Sequence, residues 1–156
     1  MSRLTVRRAK LDEADRLTGL CHRSKAHWGY DEAFMRQCKD ALTVPPAAIG
    51  AGRVWVVEAD DVVKGVASVA DADATSECDY EIAHLFVEPA AMGEGVGRLL
   101  FEQCVTWVRS NGGGKLEILS DPGAAPFYQR MGARLVGDAP SDAIPGRRLP
   151  LLIVDA

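Results

Sequence analysis

Residues 85–98 read Leu85-Phe-Val-Glu-Pro-Ala-Ala-Met-Gly-Glu-Gly-Val-Gly-Arg98, a strand that runs into a glycine-rich loop and then a helix. The helix is indicated by apolar side chains at helical spacing, namely Val96, Leu99, Leu100, Cys104, Trp107 and Val108. Glycines at 93, 95 and 97 leave the first N–H groups of this helix uncovered. Those groups and the positive end of the helix dipole form a cradle for a pyrophosphate. The alternative is a flexible loop whose glycines only allow a turn.

Two other kinds of phosphate loop fit the spacing poorly. A Walker loop ends in Gly-Lys-Ser/Thr, whereas Val96-Gly97-Arg98 follows Gly95 here. A dinucleotide fingerprint is G-x-G-x-x-G directly after a first strand, and this G-x-G-x-G lies in the second half of the chain. Glu117 lies where a ribose-binding acid would be found, but too little chain follows to build a second nucleotide-binding half.

The patterns on either side of this stretch predict one domain over residues 1–156, a mixed α/β fold with the order β-α-α-β-β-β-α-β-α-β-β. We expect a mostly antiparallel sheet of about seven strands and about four helices. The predicted strands are 4–6, 54–57, 62–70, 79–87, 116–119, a strand near 135, and 149–154. The predicted helices run from Asp12 to about residue 25, from a cap at Asp31, from Val96, and through 127–131.

Glycine and proline predict three irregularities. Pro45-Pro46 and Gly50-x-Gly52 close the second helical region, and Gly65 marks a bulge or a close backbone approach within its strand. The stretch 137–148 contains Pro140, Pro145 and Gly146 and is predicted to be a long loop, either mobile or functional.

Three motifs together resemble the GCN5-related N-acetyltransferase (GNAT) superfamily over essentially the whole chain. They are Leu85-Phe-Val-Glu-Pro, then Gly93-x-Gly-Val-Gly-Arg-Leu-Leu, and Pro122-x-Ala-x-x-Phe-Tyr-x-x-x-Gly132. The resemblance implies that acetyl-CoA is the co-substrate. No metal is expected, because the spacing of Cys21, His22 and His27 matches no standard zinc pattern. Dimers occur in this superfamily, so a homodimer is allowed, although the sequence points to no interface.

The resemblance also implies where acetyl-CoA would bind. The loop and helix start would take the pyrophosphate, and the backbone of the preceding strand would pair with the pantetheine arm. The cofactor-binding residues would be Leu85, Phe86, Val87, Met92, Gly93, Glu94, Gly95, Val96, Gly97, Arg98, Asp121, Ala124 and Phe127. Met92 departs from the family pattern, since the loop usually begins with Gln or Arg, and a side-chain contact to phosphate is then missing.

Tyr128 is the candidate general acid, because the resemblance places the family's catalytic tyrosine at this position. A phenol with a pKa near 10 can protonate a leaving thiolate whose pKa is near 8.5. Without that role, Tyr128 is a helix tyrosine packed beside Phe127. A backbone N–H near Leu85 or Phe86 is the donor that the family uses for the oxyanion.

Glu81 is the candidate base, acting through water, and its alternative is a solvated strand residue. Strict alternation places Asp79, Glu81, Ala83, Leu85 and Val87 on one face and Ile82, His84 and Phe86 on the other. His84 is a weaker candidate for the base, since a histidine among apolar strand residues is more often structural. Trp28, Tyr30 and His84 are the predicted substrate-binding residues, and Arg147 with Arg148 lies in a loop able to close over them.

Composition excludes several classes of protein. Of 156 residues 47% are apolar and 26% charged, which is ordinary for a soluble domain. Because 18 Lys and Arg stand against 22 Asp and Glu, the net charge of −4 disfavours a nucleic-acid partner. No apolar run reaches the roughly 18 residues that cross a bilayer, so no membrane partner is expected. Four cysteines without a C-x-x-C pair favour reduced thiols and a cytoplasmic location.

The negative charge is unevenly distributed along the chain. Between Glu58 and Glu94 there are ten acidic residues and one basic residue, Lys64. An acidic surface there would attract a cationic amine, and a merely solvated hairpin is the alternative.

The sequence therefore predicts an acetyl-CoA-dependent N-acetyltransferase that acts on a primary amine of a small molecule or peptide. A non-catalytic module that binds acyl-CoA as a sensor or partner surface is the alternative. Another acyl donor and a hydroxyl acceptor stay open.

Overall fold

The computed structural model describes residues 3–156, and a sheet of seven strands in the order β1-β2-β3-β4-β5-β7-β6 forms its centre. The strands are Thr5–Arg8 (β1), Val54–Ala59 (β2), Val62–Asp71 (β3), Tyr80–Val87 (β4), Lys115–Leu119 (β5), Arg134–Pro140 (β6) and Arg148–Asp155 (β7). Neighbours are antiparallel except for β4 and β5, which are parallel. The predicted mixed, mostly antiparallel sheet is confirmed.

The helices are Ala14–Ala26 (α1), Glu32–Gln37 (α2), Lys39–Leu42 (α3), Pro46–Gly50 (α4), Val96–Ser110 (α5) and Ala125–Arg130 (α6). Asp31 caps α2 as predicted, since its carboxylate accepts the Phe34 N–H at 2.8 Å. Of the two predicted ends of this region, Pro45-Pro46 is wrong, because Pro46 begins α4, whereas Gly50-x-Gly52 is confirmed, because α4 ends at Gly50. Proline is tolerated in the first turn of a helix, where its missing N–H would have no partner. No helix in the described part of the chain is long and apolar enough to span a membrane.

Both faces of the sheet are buried. In β2, Trp55 and Val57 pack with α5 and α6, whereas Val54 and Val56 pack with α1, α3 and α4. A strand covered on both faces reads as a continuous apolar run, which is what Val54-Trp-Val-Val57 is. The sheet is therefore the middle layer of three.

Gly65 lies where α5 crosses the sheet. A Cβ on Gly65 would lie 2.6 Å from Val96 Cγ1 and 2.9 Å from Leu100 Cδ1. Both predicted roles are found at Gly65. The close approach is confirmed, and Val57 pairs with Gly65 while Glu58 pairs with Val63, which leaves Lys64 as the extra residue of a bulge directly beside Gly65. The contact fixes the start of α5 against β3.

A β-bulge in β4 corrects the predicted alternation. Ser68 pairs with His84 and Val69 pairs with Ile82, which leaves Ala83 without a partner in β3. The extra residue returns the chain to the same face. As a result Ile82, Leu85 and Val87 all pack on the α5 side, while Phe86 packs on the α1 side. The prediction that Glu81 shares a face with Leu85 and Val87, and His84 with Ile82, is wrong.

The predicted loop 137–148 is shorter in the structure. β6 continues to Pro140 and β7 begins at Arg148, so 141–147 is the connection. Pro140 fits a strand here because β6 is an edge strand and proline stands at its end.

We predict that Gly65→Ala destabilises the protein by about 1–3 kcal/mol, the usual cost of overpacking a tight core. Gly50→Ala is the matched control, since a Cβ there meets only Leu11 Cδ2 at 4.0 Å. Urea unfolding of both variants measures the difference. Equal stability of Gly65→Ala and the unsubstituted protein would contradict the close approach.

Candidate active site

The parallel strands β4 and β5 separate after a short contact. They are paired only at Tyr80 with Leu116 and at Glu81 with Glu117. β4 then continues to Val87, and β3 is its only partner strand among residues 3–156. From Ile82 onward the β5-facing edge of β4 therefore opens into a wedge, and its backbone groups are available to a ligand.

The glycine loop lies at the end of β4 next to this wedge. Gly93 and Gly95 have φ values of +84° and +89°, in the left-handed region where glycine is favoured. A Cβ on either residue would meet no atom within 4 Å, so the space above the loop is open. Gly95 is the N-cap of α5, and no side chain of the described residues caps the first turn. The uncapped N–H groups at this end can accept an anion.

Three side chains of the predicted cofactor site face solvent at this loop. Met92 and Glu94 are exposed, and Arg98 Nε lies 3.0 Å from Glu102 Oε1 in an exposed ion pair along α5. Their contact with a cofactor stays a prediction.

Gly97 brings three predicted cofactor elements together. A Cβ there would lie 3.3 Å from Phe127 Cζ and 3.7 Å from Val87 Cγ2. The first turn of α5, α6 and the end of β4 are thus in contact. Ala124 packs against the same core from the residue that precedes α6.

Tyr128 is buried on the α5 side of the sheet. The centre of its ring lies 5.1 Å from that of Phe127, in an edge-on arrangement, and 5.9 Å from that of Phe101. The Tyr128 hydroxyl has no hydrogen bond within residues 3–156. Every fully enclosed side-chain oxygen in these residues has a hydrogen-bond partner, so the Tyr128 oxygen is not fully enclosed and reaches accessible space. Burial raises the pKa of Tyr128 above that of a free phenol, and the group stays protonated at neutral pH.

A cleft of about 960 Å³ lies on the opposite face of the sheet. It reaches the wedge, since Ile82, Ala83 and Leu119 are among its lining residues. The other sides come from the end of α2 through Pro45, the segment 73–78, β7 and the 141–147 loop. Its charged lining residues are Lys25, Asp40, Asp73, Glu77, Glu81, Lys115, Glu117, Arg134, Asp142 and Arg147.

Glu81 lies at the point where the two strands part. Burial raises its pKa, and the nearby charges of Glu117, Asp142 and Asp73 raise it further. Glu117 is its neighbour on β5 and accepts a hydrogen bond from Ser76 Oγ at 2.9 Å. A carboxylate with a raised pKa is a stronger proton acceptor than an ordinary one.

His84 lines the same cleft, but its ring nitrogens are occupied. Nε2 is 3.1 Å from the Thr43 carbonyl, which can only accept, so Nε2 carries the proton. Nδ1 then accepts from the Ser68 hydroxyl at 2.7 Å. Burial lowers the pKa of His84, which keeps the ring neutral at pH 7. The arrangement is that of a structural histidine with one ring edge toward the cleft.

Asp121 is the centre of a cluster rather than a free cofactor ligand. Its carboxylate is 2.9 Å from Lys25 Nζ, 2.5 Å from the Tyr30 hydroxyl and 3.0 Å from the Gly123 N–H. Burial alone would raise the pKa of Asp121, but the hydrogen bonds from Tyr30 and Lys25 outweigh it and lower the pKa.

The two predicted aromatic substrate contacts lie behind the cleft. Tyr30 stacks on Phe34 at 4.0 Å and bonds to Asp121, and neither ring lines the cleft. Trp28 lies over Gly123, where a Cβ would be 2.6 Å from Trp28 Cζ3. Of the three predicted substrate residues, only His84 contributes to the cleft.

Four further residues line the cleft but were not predicted from the sequence as substrate contacts, namely Lys25, Thr43, Glu117 and Asp142. Each comes from a different segment, and only the folded sheet brings them together. Glu117 carried the only signal, as an acid in a buried strand.

The acidic segment 58–94 does not form one surface. Asp73, Glu77 and Glu81 line the cleft. Three others are paired with arginines elsewhere: Glu58 with Arg7, Asp71 with Arg53, and Glu88 with Arg23. Within the cleft, the acidic residues of this segment are therefore Asp73, Glu77 and Glu81.

Solved structures share this fold at low sequence identity. A GCN5-related N-acetyltransferase from Rhodopseudomonas palustris superposes with a TM-score of 0.78 at 19% identity, covering 100% of this chain and 98% of that chain. The PaiA N-acetyltransferase from Thermoplasma acidophilum, in complex with coenzyme A, gives 0.74 at 10% identity, with 99% of each chain covered. A putative acetyltransferase, YncA, from Salmonella typhimurium with its cofactor acetyl-CoA gives a TM-score of 0.69 at 22% identity. The match covers 97% of this chain and 92% of that chain.

The family is established by sequence. The family model of the acetyltransferase (GNAT) domain matches residues 23–142. The chain belongs to the GNAT N-acetyltransferase family, and the predicted enzyme class is confirmed. A comparison with curated proteins finds no match.

Proposed function

We propose that this enzyme transfers the acetyl group of acetyl-CoA directly to a primary amine of a small molecule or peptide. The observation that carries the proposal is the wedge between β4 and β5, with an open glycine loop at one end and a partly acidic cleft beside it. A CoA thioester and an amine can approach each other there from opposite faces of the sheet.

The cofactor is proposed to bind through backbone groups. The N–H groups of residues 93–98 would take the pyrophosphate, and the unpaired edge of Leu85 to Val87 would bond the pantetheine arm. The relatives from Thermoplasma and Salmonella have coenzyme A or acetyl-CoA bound, which supports this choice of co-substrate. Asp121, Ala124 and Phe127 support the cradle by packing and turn formation.

Glu81 is proposed to prepare the amine for attack. An unperturbed amine with a pKa near 10.4 is protonated at neutral pH and must lose a proton before it attacks. The raised pKa of Glu81, through a bridging water, suits the carboxylate to receive that proton.

The transfer itself forms the C–N bond and breaks the C–S bond, and the nitrogen loses its second proton to water, from which Tyr128 regains the proton that it gives up. Charge that develops on the carbonyl oxygen would be stabilised by a backbone N–H near Leu85 or Phe86. Tyr128, protonated and without another partner in the described chain, would donate its proton to the departing CoA sulfur.

Thiol release tests the function. Incubation with acetyl-CoA and a panel of primary amines is expected to liberate free CoA, with cationic amines preferred over neutral acceptors and the preference weakened by salt. Tight CoA binding without turnover on any amine would favour the non-catalytic acyl-CoA sensor. Met92, where the family usually has Gln or Arg, is the sequence feature that supports this alternative.

We predict that Tyr128→Phe lowers kcat by about 100-fold, within the range of general acid catalysis, with little change in acetyl-CoA binding. Tyr80→Phe is the matched control, because Tyr80 packs on Trp107 at the other end of β4. Steady-state thiol release and calorimetry measure the two effects. An unchanged kcat would remove Tyr128 as the acid.

We predict that Gly95→Asp weakens CoA binding by at least about tenfold, because a carboxylate at the helix start repels the pyrophosphate. Gly112→Asp lies just beyond the other end of α5, also at a positive φ in open space, and should bind CoA normally. Calorimetric titration with CoA compares the variants. Equal affinity in a folded Gly95→Asp variant would exclude the cradle.

A further inference from the structure

We propose that the amine acceptor also carries an oxyanion, either a carboxylate or a phosphate, and that Lys25 and Arg147 bind it. This inference rests on the proposed function, since it concerns the acceptor in the same cleft. It assigns recognition of that anion to the part of the cleft lined by Lys25 and Arg147, neither of which is among the charges that act on Glu81.

The charges in this part of the cleft do not balance. Lys25 Nζ lies 2.9 Å and Arg147 Nη2 lies 3.7 Å from the same oxygen of Asp121. No other carboxylate in residues 3–156 lies within ion-pair distance of either cation. Both cations line the cleft and Asp121 does not, so the surface offered to a ligand is positive.

The two cations also have hydrogen-bond donors to spare. Arg147 uses only Nη2, toward the Tyr30 hydroxyl at 2.8 Å and Asp121, and Lys25 bonds only to Asp121 within the described chain. The remaining guanidinium and ammonium N–H groups are free to bind an oxyanion, which a guanidinium holds through two parallel bonds.

The cations are held in place before any ligand arrives. Lys25 Nζ lies 5.0 Å and Arg147 Cζ lies 5.2 Å from the centre of the Tyr30 ring. That ring is stacked on the ring of Phe34. Their side chains are only 13% and 22% exposed. Because they are already ordered, binding costs little side-chain entropy.

The part of the cleft near Glu81 gives the acceptor its orientation. Glu81 lies beside Glu117, with Asp73 and Asp142 near, so an anion is repelled there and an amine is attracted. A ligand with one amine and one oxyanion satisfies both parts, whereas the reversed orientation places like charges together.

Arg147→Gln and Arg148→Gln test the assignment. Arg148 is the next residue, pairs with Asp138 and does not line the cleft. The ligands are glycine, β-alanine and γ-aminobutyrate, each with its amide as the match without the anion, and phosphoethanolamine with ethanolamine as its match. Calorimetry on the CoA-loaded enzyme measures binding without turnover, and thiol release measures turnover separately.

The unsubstituted enzyme is expected to bind the best acid, or the phosphate compound, at least about tenfold more tightly than its match without the anion. Arg147→Gln should abolish that preference, Arg147→Lys should retain part of it, and Arg148→Gln should leave it unchanged. Which anion binds best separates carboxylate from phosphate recognition.

Equal binding of acids and amides, binding of none of the compounds, or an unchanged preference in Arg147→Gln would each overturn the assignment. Selective binding without thiol release from any compound would instead support the subsite and contradict the proposed transfer.

Discussion

The short parallel contact between β4 and β5 is the constraint on which the rest of the site depends. Two paired positions hold the sheet together, and beyond them the strands part. If the pairing continued, β5 would occupy the β4 edge beside Leu85 to Val87. The cleft on one face and the glycine loop on the other would then have no shared opening. The geometry of the proposed site thus follows from where hydrogen bonding between β4 and β5 stops.

The Asp121 cluster links segments that are distant in the chain. Lys25 ends α1, Tyr30 precedes α2, Asp121 follows β5, and Arg147 ends the β6–β7 connection. One carboxylate thus joins the helical side of the cleft to the turn that leads into α6. Because the pairs are largely shielded from water, they are stronger than surface ion pairs of the same length.

Local patterns allowed the fold to be predicted, and contacts between distant segments limited the prediction of the site. The strand, the glycine loop and α5 follow from residues 85–110 alone, since spacing and backbone preference decide them. The bulge at Ala83 depends on how β4 pairs with Ser68 and Val69, so strict alternation assigned Glu81 to the wrong face. Glu117 approaches Glu81 only through a parallel pairing, which no short segment encodes.

Glu81 and Glu117 occupy the last paired position before β4 and β5 part. The proton affinity of Glu81 therefore depends on the spacing of these two strands. The charge of Glu117 helps to raise the pKa of Glu81, and the register fixes the spacing of the two backbones. Widening the wedge at this position would relieve the repulsion and lower that pKa. By the same linkage, protonation of Glu81 favours the closed spacing and its ionisation favours the open one. The proton affinity of this proposed base therefore also depends on how far the sheet has opened.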